Sequence, residues 1–120
     1  MEKLTKTEEP VMQIIWRLGS VFVKDIIKEL PEPKPPYNTV SSLVRILEMK
    51  GMVGHKAYGR TYEYFPLVSK AAYRKHIFGS LVKDYFDDSY ANLMSFIVKD
   101  NDLSKEDEQE LKDFIKRNYE

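Results

Sequence analysis

The sequence contains no cysteine, so disulfide bonds, thiolate metal ligands and cysteine catalysis are excluded. It has no apolar run long enough to span a bilayer, and its first residues lack the charged-then-apolar pattern of a signal peptide. The lack of cysteine is compatible with a reducing cytoplasm. We therefore expect a cytoplasmic protein that does not insert into a membrane.

Histidine is also scarce, which limits the chemistry that the chain can perform. Its two histidines, His55 and His76, lie in different predicted elements. The sequence contains no nucleophile–base pair, no phosphate-cradling glycine loop and no metal-ligand spacing. We therefore expect a protein that is not an enzyme and that uses no metal and no cofactor.

The net charge at pH 7 is zero, but the charges are unevenly distributed. Residues 1–66 carry 10 Lys and Arg against 8 Asp and Glu, whereas residues 67–120 carry 9 against 11. Five basic residues and one acid, Glu48, occur between Lys34 and Arg60. This basic strip is a modest indication of nucleic-acid binding, although a solvated mixed-charge surface would give the same count.

The chain has 120 residues, 42% of them hydrophobic, which suffices for one small domain or for a domain with an oligomerisation arm. Thr5-x-x-Glu8 is a capping-box pattern, but a helix that started there would contain Pro10 in its interior. We therefore predict a first helix that starts at Thr7, with Pro10 in its first turn, and ends at Gly19. A second short helix is predicted over residues 22–30. Four prolines within residues 31–36 exclude a helix and predict a stiff, extended connection.

The segment from Tyr37 to Lys50 has the periodicity of an amphipathic helix. Its apolar stripe consists of Val40, Leu43, Val44 and Leu47. The opposite side, with Ser41 on its flank, carries Asn38, Ser42, Arg45 and Met49. Gly51 follows at the position of a left-handed C-cap.

Aromatic and β-branched residues surround Tyr58-Gly59-Arg60, which predicts two strands joined by a basic turn. A winged helix-turn-helix typically contains a helix whose outer face carries short polar side chains. A glycine ends that helix, and a hairpin of this kind follows it. We therefore predict a mainly α fold with a small antiparallel β-hairpin. Residues 1–66 would form a winged-helix DNA-binding domain, and residues 67–120 a three-helix dimerisation arm.

The polar face of the third helix and the hairpin are predicted to bind double-stranded DNA. The residues expected to reach base edges or nearby phosphates in the major groove are Asn38, Ser41, Ser42 and Arg45. The residues expected at phosphates, or exposed at the wing tip, are Lys34, Tyr37, Thr39, Lys56, Tyr58 and Arg60.

Each of these residues, taken singly, also has a structural explanation. Arg45 can pair with Glu48 one turn later, and Asn38 and Thr39 can act as helix caps. Together the residues favour a binding face for DNA. The alternative is a winged-helix protein–protein interaction module without DNA binding, which the zero net charge and the nearby Met49 and Met52 favour.

From Ser69 onward the pattern predicts three helices, with new starts at Ser89 and Ser104. The apolar residues assigned to a dimer contact are Tyr73, Ile77, Leu81, Tyr85, Leu93, Ile97, Leu111, Phe114 and Ile115. Because little chain remains to cover this apolar surface, we predict a homodimer built by this region. The alternative is a compact monomer whose C-terminal helices fold back on the N-terminal core.

The chain resembles the penicillinase and methicillin-resistance repressor family (BlaI/MecI/CopY) over nearly its whole length. The matching residues are Leu4-Thr5, Val11-Met12, Ile15-Trp16, Ile26-Ile27, Leu30, Thr39-Val40, Leu43, Leu47, Lys50-Gly51, His55-Lys56, Tyr64, Pro66-Leu67-Val68, Leu93, Leu103-Ser104 and Glu110-Leu111. The resemblance implies a homodimeric transcriptional repressor that binds a two-fold symmetric, palindromic operator. Ile46 stands where the family usually has arginine, and Phe22 where it often has a hydroxyl helix cap.

The resemblance also implies a route of induction. In the β-lactam branch of the family, a membrane sensor protease drives cleavage of an Asn-Phe bond in the C-terminal arm. Ungapped alignment back from Leu103-Ser104 places Phe96-Ile97 at that position, so this chain departs from the Asn-Phe bond that the family cleaves. The copper branch senses metal through a cysteine cluster, and this chain has no cysteine. The resemblance therefore implies control of antibiotic-resistance-type genes, with a sensor protease as candidate partner.

Overall fold

The computed structural model describes residues 1–119 and confirms the predicted mainly α fold with one hairpin. Its elements are α1 Glu8–Leu18, α2 Val23–Glu29, α3 Tyr37–Met49, β1 Val53–Tyr58, β2 Thr61–Pro66, α4 Lys70–Tyr85, α5 Tyr90–Asn101 and α6 Lys105–Tyr119. The chain forms two compact units, one ending at Tyr73 and the other beginning at Arg74. Among the described residues, no helix has both the length and the apolar character needed to cross a membrane.

The first unit packs α1, α2 and α3 around an apolar core that the hairpin closes. Val40, Val44 and Leu47 of α3 are completely buried, because the apolar stripe of this helix faces the core. Tyr64 of β2 is also buried, and its backbone exchanges two hydrogen bonds with Val21. The packing of the apolar side fixes which side of α3 is left for solvent or a ligand.

Glycine and serine define helix ends where the sequence predicts them. Gly19 and Gly51, which follow α1 and α3, have φ of +85° and +79°, a conformation that costs glycine little. The hydroxyls of Ser69, Ser89 and Ser104 accept hydrogen bonds of 3.0–3.1 Å from the backbone three residues later. These caps start α4, α5 and α6.

The start of α1 combines two features of its sequence. The backbone N–H of Glu8 donates to the hydroxyl of Thr5 at 3.2 Å, and the N–H of Thr5 donates to the Glu8 carboxylate at 2.9 Å. This capping box precedes a helix whose first turn contains Pro10, as predicted. The proline is tolerated there because its missing N–H would have no partner within the helix.

The hairpin ends in a two-residue turn. β1 and β2 pair in register from Val53–Pro66 to Tyr58–Thr61, which leaves Gly59 and Arg60 as the connection. Gly59 has a φ of +60°, as a turn of this length requires. The hydroxyl of Thr61 donates to the carbonyl of Tyr58 at 3.0 Å and stabilises the turn of the hairpin.

The second unit has a small apolar core of its own. It is formed by Val82, Leu93, Met94 and Ile115. Large apolar side chains also remain exposed on this unit, to between 40% and 78%: Leu81, Tyr85, Phe96 and Phe114.

Candidate nucleic-acid interface

The outer side of α3 carries the side chains that the sequence assigns to DNA bases. Asn38, Ser42 and Arg45 are exposed, and Ser41 is half-buried on the flank. Met49, in the last turn, is 86% exposed. These positions follow from the burial of the apolar stripe on the opposite side of the helix.

Arg45 does not pair with Glu48, which was the structural alternative for it. Within residues 1–119, Arg45 belongs to none of the ion pairs. Its guanidinium can therefore meet an external acceptor without breaking an intramolecular pair.

Glu48 instead links α3 to the wing. Its Oε2 lies 2.5 Å from Nδ1 of His55 on β1, and the His55 ring stacks on Tyr62 at 4.2 Å between centroids. Tyr62 remains 44% exposed. The carboxylate of Glu48 thus contacts His55 of the hairpin, beside the polar face of α3. Among residues 1–119, no group of three or more His, Cys, Asp or Glu side chains is placed to hold a metal ion.

The residues predicted at phosphates lie at the start of α3 and on the hairpin. Tyr37 is 54% exposed and Thr39 is also exposed. Lys56 and Arg60 are exposed on β1 and in the turn. The N-cap of α3 is Pro36, so Asn38 and Thr39 lie inside the first turn and are not its caps.

Lys34 is engaged inside the protein. Its ammonium donates to the carbonyls of Lys28 and Leu30, at 2.9 Å for Lys28. These bonds satisfy acceptors at the C-terminal end of α2, which the helix itself leaves unpaired. A phosphate contact from Lys34 would have to share or replace them.

Lys50, another cation of the basic strip, contacts α1. Its Nζ lies 2.8 Å from Oε1 of Glu8, a residue that is 3% exposed. Burial raises the pKa of the Glu8 carboxyl, but hydrogen bonds from Lys50 and Thr5 more than offset this and hold that pKa below its ordinary value. The hydrogen bond to Glu8 raises the pKa of the Lys50 ammonium. This pair joins the start of α1 to the end of α3.

Tyr58 lies at the wing tip, as predicted, and is 47% exposed. Its ring contacts Phe22, with 5.9 Å between centroids, and Nζ of Lys56 lies 5.4 Å from its centre. A cavity of about 190 Å³ lies beside this contact and is lined by Phe22, Val23, Lys24, Tyr37, Thr61 and Tyr62. Phe22 and Lys24 were not among the predicted site residues, because helix α2 showed only its apolar periodicity.

Tyr73, which the sequence assigns to a dimer contact, packs within the first unit. Its hydroxyl accepts a 2.7 Å hydrogen bond from the backbone N–H of Leu4. Its ring lies 5.5 Å from that of Trp16, whose indole N–H donates to the carbonyl of Val68. Tyr73 therefore anchors the first turn of α4 to α1 and the N-terminal segment.

The other residues assigned to a dimer contact all lie in the second unit. Leu93 and Ile115 are buried in its core. Ile97 and Leu111 pack against that core, and Ile77 is half-buried. The exposed members are Leu81, Tyr85 and Phe114.

Known proteins resemble this chain in sequence and in fold. The sequence profile of the penicillinase repressor family matches residues 4–117. The chain is 24% identical over 111 residues to the penicillinase repressor of Bacillus licheniformis, covering 91% of this chain and 86% of the relative. It is 22% identical over 116 residues to the methicillin resistance regulatory protein MecI of Staphylococcus aureus (strain N315), covering 96% and 94%. The solution structure of the DNA binding domain of the repressor BlaI matches with 28% identity and a TM-score of 0.50, covering 58% of this chain and 90% of that domain.

Proposed function

We propose that this chain, which belongs to the penicillinase repressor family, represses transcription by binding an operator through α3 and the hairpin. The observation that carries the proposal is the division of α3 into a buried apolar side and an exposed polar side. The likeness of this chain to the DNA binding domain of the repressor BlaI supports it.

The polar side of α3 would read the major groove. Arg45 suits the two acceptors of guanine, and Asn38 suits the donor and acceptor of adenine. Ser41 and Ser42 would contact either bases or nearby phosphates. The short side chains along this face allow the helix to approach the base edges closely.

The start of α3 and the hairpin would bind the sugar–phosphate backbone. Tyr37 and Thr39 offer hydroxyls, and Lys56 and Arg60 offer positive charge beside the exposed Tyr58. Lys34 would join them either by sharing its ammonium between a phosphate and the carbonyls of Lys28 and Leu30 or by releasing those carbonyls.

A second copy of the chain would supply the second half-site contact. The exposed apolar side chains of residues 67–120, including Tyr85 and Phe114, support a homodimer formed by this region. A two-fold dimer would bind a palindromic operator whose half-sites lie about 34–36 Å apart or a multiple of that distance.

Proteolysis of the C-terminal region would relieve repression, with a membrane sensor protease as the partner. Phe96 and Ile97 lie within α5, and Phe96 is 51% exposed, with its ring 5.4 Å from that of Phe86. Cleavage there would require local opening of α5, because a protease binds its substrate in an extended conformation. The target genes would be of the antibiotic-resistance type.

A protein–protein interaction module is the second candidate. The exposure of Met49 (86%) and Ile46 (40%) on α3 favours it, because exposed apolar side chains can pack in a protein–protein interface. This candidate predicts that the protein binds no DNA duplex with an affinity that depends on the salt concentration.

Selection of bound duplexes from a random-sequence pool separates the two candidates. The repressor should enrich a two-fold symmetric sequence and bind it with an affinity that falls as salt rises. Enrichment of no sequence, together with salt-independent binding, would favour the interaction module.

A further inference from the structure

Phe22 occupies a helix-cap position without acting as a side-chain cap. It is the N-cap residue of α2, where its ring cannot accept a hydrogen bond. The carboxylate of Asp25 accepts the backbone N–H of Phe22 at 3.0 Å, which satisfies one donor at this end. The ring of Phe22 can therefore serve another contact.

The ring of Phe22 contacts Tyr58 and so joins the wing tip to the start of α2. The rings of Phe22 and Tyr58 lie 5.9 Å apart at 70°, an edge-to-face arrangement that aromatic pairs favour. Tyr58 ends β1, and its carbonyl is already bonded to Thr61 across the turn. The wing tip is thus held both by its own turn and by α2.

Each of the two rings also lies near an ammonium group. Nζ of Lys24 is 6.0 Å from the centre of the Phe22 ring, and Nζ of Lys56 is 5.4 Å from that of Tyr58. Neither lysine belongs to an ion pair within residues 1–119, although Glu63 lies opposite Lys56 in the strand register. A cation–π contact restrains a lysine without neutralising it, so both charges can attract an anion.

The cavity beside these rings has the chemistry of a backbone-binding surface. Its lining residues with polar side chains are Lys24, Tyr37, Thr61 and Tyr62, and among residues 1–119 no Asp or Glu lines it. The hydroxyl of Thr61 already donates to the carbonyl of Tyr58, which leaves Lys24, Tyr37 and Tyr62 as the donors for a ligand. Ammonium and hydroxyl donors are the groups that proteins direct at phosphate and sugar. Tyr37 is also the first residue of α3, so the cavity lies beside the helix that we propose reads the major groove.

We infer that Lys24 and Lys56 bind phosphates of one DNA strand, and that Phe22 sets their spacing by holding Tyr58. These four residues form the α2–wing clamp. The inference rests on the proposed DNA binding and adds two residues to it: Lys24 as a phosphate ligand and Phe22 as a positioning residue.

The salt dependence of binding tests the role of Lys24. Affinity is measured between about 50 and 200 mM salt for the duplex that the wild type selects from a random pool. Lys24→Ala should flatten the slope of log affinity against log salt by about 0.9 for each subunit bound. Lys6→Ala, in the turn before α1, is the matched loss of one exposed lysine and should leave the slope unchanged.

A double-mutant cycle tests the role of Phe22. Phe22→Ala should flatten the slope, and adding Lys56→Ala to it should cost less affinity than Lys56→Ala costs alone. Phe22→Tyr keeps a ring at this position and should restore the wild-type slope. Thermal unfolding checks each variant, and Tyr58→Ala, at the exposed tip, replaces Phe22→Ala if the latter fails to fold.

The outcomes separate this inference from the proposal on which it rests. If the wild type binds no duplex with salt dependence, DNA binding itself is overturned. If the wild type binds with salt dependence while Lys24→Ala keeps the wild-type slope, only the α2–wing clamp is overturned. If Phe22→Ala and Lys56→Ala have strictly additive effects, Phe22 is not a positioning residue.

Discussion

Arg45 and Lys56 carry the same charge at the proposed DNA face, yet they would contact different parts of a duplex. Arg45→Ala should cost about 1–3 kcal/mol of binding free energy at the selected operator and relax its base preference. Lys56→Ala should weaken binding to all sequences alike, because a phosphate contact carries no sequence information. Fluorescence anisotropy with matched and mismatched duplexes measures both effects. Unchanged operator affinity in both variants would contradict the assignment of this face.

The pair between Glu8 and Lys50 predicts how stability depends on pH. The pKa of Glu8 is lowered by folding, so its contribution is present above the ordinary carboxyl pKa and is lost as pH falls through the lowered one. The pKa of Lys50 is raised, so its contribution is present below the ordinary lysine pKa and is lost as pH rises through the raised one. Glu8→Gln should therefore unfold at a lower temperature than the wild type at neutral pH and lose less stability in acid. Glu9→Gln is the neighbouring control. If the unfolding temperature of Glu8→Gln falls as steeply in acid as that of the wild type, Glu8 is not the source of this pH dependence.

At the scale of helices and strands, local patterns predicted most of the fold. Apolar spacing placed the buried stripe of α3, and single residues such as Ser69 and Gly51 defined helix ends, because these signals act within one turn. Long-range pairs were not predictable in this way. Lys50 and Glu8 are 42 residues apart, and Glu48 meets His55 only because the hairpin folds back beside α3. The contact of Phe22 with the wing was missed for the same reason.

Two substitutions within α3 test which side of the helix faces the core. Leu47→Ala should lower the free energy of unfolding by about 2–5 kcal/mol, because Leu47 is completely buried. Met49→Ala, two residues later and 86% exposed, should change it by less than about 0.5 kcal/mol. Urea denaturation measures both values. Equal losses in the two variants would mean that the polar face of α3 is wrongly assigned.

At the scale of the whole molecule, repression as proposed requires two copies of the chain. Tyr85 is 78% exposed on α4, so a charge at this position should disturb an interface without disturbing the core of one chain. Tyr85→Glu should shift the molecule from dimer to monomer in size-exclusion chromatography with light scattering, whereas Lys83→Ala on the same helix should not. A wild type that is monomeric at all concentrations would rule out the dimer.

Mapping the bound surface by NMR tests the central claim most directly, and a chain of 14.1 kDa is small enough for it. Backbone amide signals are followed while the selected duplex is added to the labelled protein. The account predicts the largest changes at Asn38, Ser42 and Arg45 of α3 and at Lys56 of the hairpin. Changes confined to residues 74–117, or no changes at all, would contradict it.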